Sequence, residues 1–204
     1  MKTLKLWMLA ISLALMAQSA WALMPADAFV KAIADDVLAI VKKDKEIQSG
    51  DQQKVFALAE EKIMPHFNFE HVCRLVLGKN YAKASKEQQE AFQKEFRTLM
   101  LYTYASALSK YRNQTIEYKP MKDYPDDKQV VVKTLILQPG GQPIGVDYTL
   151  EALNDAWKVY DINIEGVSLV TNYRSQFGNE IRQGSIDSLI QKLADKNKEN
   201  TSKK

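Results

Sequence analysis

The chain has 204 residues, 28 basic and 25 acidic, for a formal net charge of +3. That size suits one hydrophobic core, and the balance of charge lacks the basic excess of a nucleic-acid-binding body, so no nucleic-acid partner is expected. Its one cysteine, Cys73, rules out an intramolecular disulfide and sits among Val72, Leu75 and Val76 as a small core residue, so stability has to come from packing.

In chain order, Lys2 and Lys5 form a positive start, an uncharged apolar run follows from Leu6 to Ala17, and Ala20-Trp21-Ala22 supplies small residues at a cleavage site. Residues 1–22 therefore read as a secretory signal peptide, too short to span a bilayer. Loss of its two lysines lowers the formal charge to about +1. What remains divides into a single domain over 23–195 and a charged, disordered tail over 196–204, exported and soluble.

Apolar residues at Phe29, Val30, Ile33, Val37, Ile40 and Val41 follow one face of a helix over 25–45. Asp51 can cap a second helix reaching Ile63, which Pro65 stops or bends. A third short helix over 69–77 ends at Gly78, where a residue without Cβ tolerates the turn. Ser85 and Gln88 match a capping box opening a long fourth helix. That helix has two apolar stripes, one through Phe92, Phe96 and Leu99 and another through Leu101, Tyr104, Leu108 and Tyr111, which predicts a central position.

After Asn113 the period changes to two. Val130, Val132, Thr134 and Ile136 alternate with polar neighbours, Pro139-Gly140-Gly141 turns the chain, and Ile144, Val146, Tyr148 and Leu150 alternate back. Asn154-Asp155 turns again into a strand over 157–165, and Thr115 to Lys119 is a candidate first strand. Helical spacing returns at Ser168 and again at Ser185. The order predicts an α+β fold, a curved antiparallel sheet of about four strands with helices packed on one face and an apolar pocket between.

Chemistry-bearing motifs are sparse. His66 and His71 are five apart, which on a helix leaves the rings about 140° apart rather than on one metal-binding face, so no metal site is expected. The chain has no G-x-S-x-G elbow, no phosphate-binding glycine loop and no C-x-x-C pair, which argues against the common hydrolase, nucleotide and redox classes; no cofactor and no catalytic residue is assigned. The enzymatic alternative is a small exported α+β enzyme acting on a hydrophobic substrate through a buried Asp base, with Asp161 or Asp147 as candidates. Asp147 alternates with Val146 and Tyr148 and so should face away from the core.

The run from Trp157 to Phe177 carries W-x-V-x-D, then E-G-V-S, then N-Y-R-x-x-F, joined upstream by Leu77-Gly78-Lys79-Asn80-Tyr81 and by the segment from Gln88 to Tyr111. This pattern resembles the MlaC family of toluene-tolerance, phospholipid-binding proteins over nearly all of the chain after the signal, departing from it in the charged tail. The resemblance implies a non-enzymatic periplasmic shuttle that carries phospholipid between an outer-membrane lipoprotein–porin complex and an inner-membrane ABC transporter with its substrate-binding MCE-domain subunit. That role would maintain outer-membrane lipid asymmetry.

Such a role has a physical requirement. Exposing about 30 methylenes of a two-chain lipid to water costs roughly 24 kcal/mol, and a barrier of that height permits escape about once a day. The protein must therefore enclose the tails and receive them from a docked partner. Strand alternation and the helical faces nominate Leu75, Leu99, Tyr102, Val130, Val132, Ile136, Ile144, Val146, Tyr148, Leu150, Val167 and Val170 as lipid-binding. Tyr104 and Tyr173, apolar in body and polar at the tip, are nominated for the pocket mouth. Arg97, Arg112, Lys133 and Arg174 are nominated for docking to acidic partner surfaces.

Overall fold

Side-chain caps start several of the helices in the computed structural model, which describes residues 23–121 and 128–202; the expected signal segment lies outside them. Helix α1 spans Ala26–Lys43 and α2 Lys45–Ser49, the latter started by Asp44, whose carboxylate accepts the backbone N–H groups of Glu46 and Ile47. Asp51 does the same for α3, Gln52–Lys62. A 3₁₀ turn, Met64–His66, follows. Helix α4, Phe69–Leu77, is capped by Asn68 and leads through Gly78 into the short α5, Lys79–Lys83. Gly78 has φ +53° with ψ −126°, a combination open essentially to glycine alone.

The long helix α6, Lys86–Tyr104, begins with both halves of the expected capping box. Ser85 Oγ accepts the Gln88 N–H at 3.2 Å, and the Ser85 N–H donates to Gln88 Oε1 at 3.0 Å. A single turn, α7, Ser106–Ser109, ends the first helical run. Beyond the sheet come α8, Leu169–Gln183, capped by Ser168, and α9, Ile186–Ser202.

Among the described residues, five strands form one open antiparallel sheet in sequential order: β1 Thr115–Tyr118, β2 Gln129–Leu137, β3 Ile144–Leu153, β4 Ala156–Ile164 and β5 Val167–Ser168. The fifth strand has only two residues, too few for a period to show in sequence. Glu165 and Gly166, both at positive φ, fold it back onto β4. Asn154 and Asp155 at φ +50° and +57° make the tight β3–β4 hairpin, a conformation short polar side chains tolerate.

Two apolar clusters result. The larger is helical: α6 supplies Phe92, Phe96 and Leu101 at its centre, against α3, α4, α8 and α9. Phe96 meets Tyr173 and Phe177 of α8 edge-on, with ring centroids 5.0 and 5.3 Å apart. The smaller cluster joins Ala26 and Val30 of α1 to Val130, Val132, Leu150, Trp157 and Val159 of the sheet. Helix α1 links them, since its Val37 and Val41 belong to the helical cluster.

The segment read as a tail departs from expectation. Residues 196–202 continue α9, because Asn197 is buried and its amide donates to the backbone carbonyl of Glu95 at 2.9 Å and to the Glu95 carboxylate at 2.8 Å. One turn later Thr201 Oγ1 lies 3.0 Å from the Tyr102 hydroxyl. Charge density on the other faces of this helix masked the one face that packs.

Candidate functional site: the inner sheet face and the cleft beside it

Register, rather than alternation alone, defines the inner face of the sheet. Val130, Val132, Thr134 and Ile136 of β2 stand opposite Leu150, Tyr148, Val146 and Ile144 of β3. On the outer side Tyr118 and Ile116 of β1 pair with Thr134 and Ile136. On the other side Val146 and Tyr148 pair with Ile164 and Ile162 of β4. Between Thr149 and Leu150 the register shifts, because Thr149 faces Asp161 while Leu150 faces Val159. The extra residue switches the parity of β4, so Trp157 and Val159 before the bulge and Ile162 and Ile164 after it share one face.

The two ends of this face differ. At one end Ala26 and Val30 of α1 cover Val132, Leu150 and Val159, and the Trp157 indole donates to the Met24 carbonyl at 2.7 Å. At the other end Ile116, Ile136, Ile144 and Ile164 are half-buried. Beside them a cleft of about 600 Å³ runs between α1 and the start of β1. Helix α1 lines it with Lys31, Asp35, Leu38, Ala39, Lys42 and Lys43, spaced along one stripe, and residues 111–116 and Tyr118 form the opposite wall. Volume in this range suits a small-molecule or lipid-fragment ligand. Sequence reading missed Leu38, Ile116 and Tyr118; the helical repeat Lys31, Asp35, Leu38, Lys42 was the available signal.

Of the nominated lipid-binding residues, Val130, Val132, Ile136, Ile144, Val146, Tyr148 and Leu150 lie together on the inner face. Leu99 and Val170 pack instead against the helical cluster, as does Tyr104. Leu75 is half-buried on α4. Three further nominations lie away from the sheet face for visible reasons. Tyr102 stacks obliquely on Phe56, with centroids 5.1 Å apart, and reaches Thr201. Tyr173 is buried among Phe96 and Phe177, where burial and the neighbouring Tyr104 push its phenol pKa well up, so it makes no solvent mouth. Val167 is 54% exposed, because the turn at Glu165 and Gly166 projects it outward.

The nominated docking residues differ too. Arg97 makes a two-point contact with Glu60, at 3.2 Å from Nε and 2.5 Å from Nη2, joining α6 to α3. Arg112 is turned onto backbone carbonyls, donating to Ser109, Tyr111 and Gln48. Lys133 and Arg174 are exposed, and the Arg174 guanidinium passes over Gly78, where a Cβ would lie 3.5 Å from it.

Polar side chains elsewhere have structural tasks. Asp161 accepts the Ser168 hydroxyl at 2.6 Å and the Val170 N–H at 3.0 Å, fixing the start of α8. Glu151 accepts the Asn68 amide at 2.7 Å and lies 2.8 Å from His71 Nδ1, while the His71 ring stacks on Tyr160. Cys73 is fully buried, and desolvation raises its thiol pKa strongly. Among the described residues no three His, Cys, Asp or Glu side chains are placed to hold a metal ion, and no helix is long and apolar enough to cross a membrane.

Comparison with known proteins agrees with this architecture. The phospholipid-binding protein from Ralstonia solanacearum, solved in complex with a phospholipid, superposes with a TM-score of 0.82 at 39% identity, covering 88% of this chain and all of that one. The intermembrane phospholipid transport system binding protein MlaC of Haemophilus influenzae is 29% identical over 163 residues, 78% of this chain and 76% of that protein. The toluene tolerance protein ttg2D of Pseudomonas putida is 25% identical over 159 residues, 78% of this chain and 74% of its own length. The MlaC protein family model matches residues 31–195, which takes in most of α1, the whole sheet and α8, and the chain accordingly belongs to the MlaC family.

Proposed function

We propose that this protein is a periplasmic phospholipid carrier and not an enzyme. It takes lipid as cargo rather than cofactor and passes it between an outer-membrane lipoprotein–porin complex and an inner-membrane ABC transporter with its MCE-domain subunit. The observation that carries the reading is the inner sheet face, apolar across four strands yet packed against α1 at one end only. Ile136, Ile144, Val146 and Tyr148 on that face would hold acyl chains. The phospholipid bound by the Ralstonia relative supports the cargo, and the name of the Haemophilus relative supports the transport system. Exposed Lys133 and Arg174 would steer docking to acidic partner surfaces. Asp161, the base of the enzymatic alternative, is occupied as a helix cap, which favours carriage over catalysis.

Native mass spectrometry of gently purified protein tests this. Mass additions matching two-chain phospholipids, recovered by solvent extraction, are expected. Protein free of lipid in both assays overturns the proposal.

A further inference from the structure

The two apolar clusters meet along a seam that is polar. On the segment entering α4, Phe67 packs into the sheet cluster and Phe69 into the helical one, and on β4 Val159 and Tyr160 divide the same way. Hydrogen bonds hold these two segments together. Phe67 and Val159 form a parallel bridge, the Asn68 N–H donates to the Val159 carbonyl at 2.9 Å, and Lys158 Nζ donates to the Pro65 carbonyl at 2.6 Å. Beside them, on β3, Glu151 accepts the Asn68 amide and stands 2.8 Å from His71 Nδ1. Tyr160, the extra residue of the β4 bulge, lies on the His71 ring with centroids 4.7 Å apart and planes 23° apart. A bulge re-aims a side chain out of the strand's alternation, and here it aims one at this seam.

One member of the seam is a residue type that changes charge near neutrality. The His71 and Glu151 side chains are 25% and 17% exposed, enclosed enough for an ion pair to exceed a surface one and open enough for the ring to exchange a proton with water. A neutral ring with its proton on Nδ1 gives the carboxylate an ordinary hydrogen bond. A protonated ring makes the same contact charge-assisted, with roughly twice the strength. The neighbouring charges are engaged elsewhere. Glu70 and Arg74, on the same helix, pair with each other at 2.7 Å, and Lys158, opposite Glu151 in register, is turned to Pro65. Burial, with Glu151 and Asp161 nearby, pushes the Tyr160 phenol up, so it stays uncharged. Helix α6 meets α4 through Phe96 on Phe69, and α8 brings Arg174 to Gly78, about two turns beyond His71.

We propose that His71 and Glu151 form a pH-sensitive fastening between the sheet and the helical layer, tightened by acid, which slows widening of the seam and with it the exchange of cargo. The fastening is strongest with the imidazole charged, and the added strength is lost as pH rises through the histidine range. A close-packed body admits an acyl chain when packed layers slide apart, and a hydrogen-bonded seam between two separate apolar clusters is where these layers can do so. The part that concerns cargo rests on the carrier reading above, and the fastening itself does not. His66, five positions earlier, is held in the opposite sense, since burial and Lys158 favour its neutral form.

The test compares wild-type protein, His71→Gln, Glu151→Gln and His66→Gln at pH 8 and pH 5.5. In lipid-free protein, His71→Gln should lower the thermal midpoint by about 2–4 °C at pH 5.5 and by less than half as much at pH 8. Glu151→Gln, which keeps the shape and loses the charge, should give the same pattern. For exchange, each protein is loaded from vesicles of phosphatidylethanolamine and phosphatidylglycerol, and release to acceptor vesicles is timed. Wild type should release lipid about 3- to 10-fold more slowly at pH 5.5 than at pH 8. His71→Gln retains a donor but cannot take up a proton, so its two rates should agree within about 2-fold, whereas His66→Gln should keep the wild-type ratio. Equal thermal shifts at the two pH values, in both seam variants, overturn the fastening. Parallel release profiles in wild type and His71→Gln overturn its part in cargo exchange. Failure of the wild type to take up lipid overturns the carrier reading instead, and the thermal midpoints then decide the fastening by themselves.

Discussion

The indole N–H of Trp157 donates to the carbonyl oxygen of Met24 across 2.7 Å, tying the residue that precedes α1 by two positions to the hairpin end of β4. The bond holds the start of α1 over the closed end of the inner face, where Ala26 and Val30 reach Val132 and Leu150. Trp157→Phe keeps a ring and loses the donor, so it should cost about 1–2 kcal/mol in urea unfolding. Limited proteolysis near residue 24 should accelerate, whereas cleavage elsewhere should not.

Leu150 and Ile144 share a strand and a face, but only Leu150 is fully enclosed, at 0% exposure. Leu150→Ala should therefore cost about 2–5 kcal/mol of folding stability, as a cavity in a packed cluster does. Ile144→Ala, at the half-buried end, should cost less than about 1.5 kcal/mol and lower lipid occupancy in native mass spectra instead. Equal stability losses without any change in occupancy would mean that both residues are plain core.

At Asp161 the expected effect is on folding. Asp161→Asn weakens two bonds at the start of α8, to Ser168 and to the Val170 N–H, and should lower stability by about 1 kcal/mol. Lipid release rates from folded protein should be unchanged. A strong effect on release with no loss of stability would place Asp161 in the transfer step.

Burial and the charge of Lys158 hold the His66 imidazole below its ordinary 6.5, with the Phe29 ring edge-on at 5.4 Å. A histidine with a lowered folded-state pKa contributes stability that is present above the unfolded value and lost as pH falls through the folded one. Thermal midpoints should therefore decline between pH 7.5 and the low end of the histidine range by more in wild type than in His66→Gln. Parallel pH profiles for the two proteins would remove His66 as the cause.

Val167 stands in water at 54% exposure, so Val167→Glu should change stability by no more than about 0.5 kcal/mol. Lipid occupancy should match wild type. A drop would show that the β4–β5 turn closes inward over cargo.

Most elements were legible because each obeys a local rule. Ser85 and Gln88 are three apart and write the start of α6. Gly78 ends α4 because its backbone conformation excludes a Cβ. Val130 to Ile136 alternate because one face of β2 is apolar. The run from Trp157 to Phe177 even carried the family. Local rules could not place Tyr102, Tyr173 or Val170, since an apolar side chain bound for a helical core and one bound for a ligand wall have the same chemistry.

Tertiary structure decided the rest. It assigned Tyr173 to the aromatic cluster with Phe96, drew Asn197 into α9 through Glu95, and used one extra residue in β4 to keep Val159 and Ile162 on the same face. It also brought Lys42 and Lys43 opposite Tyr118, more than seventy positions away in the chain. Sequence fixes periods and caps because these depend on neighbours a few residues apart. Which apolar face meets another, and where a gap is left between them, depends on contacts between distant segments that no local pattern encodes.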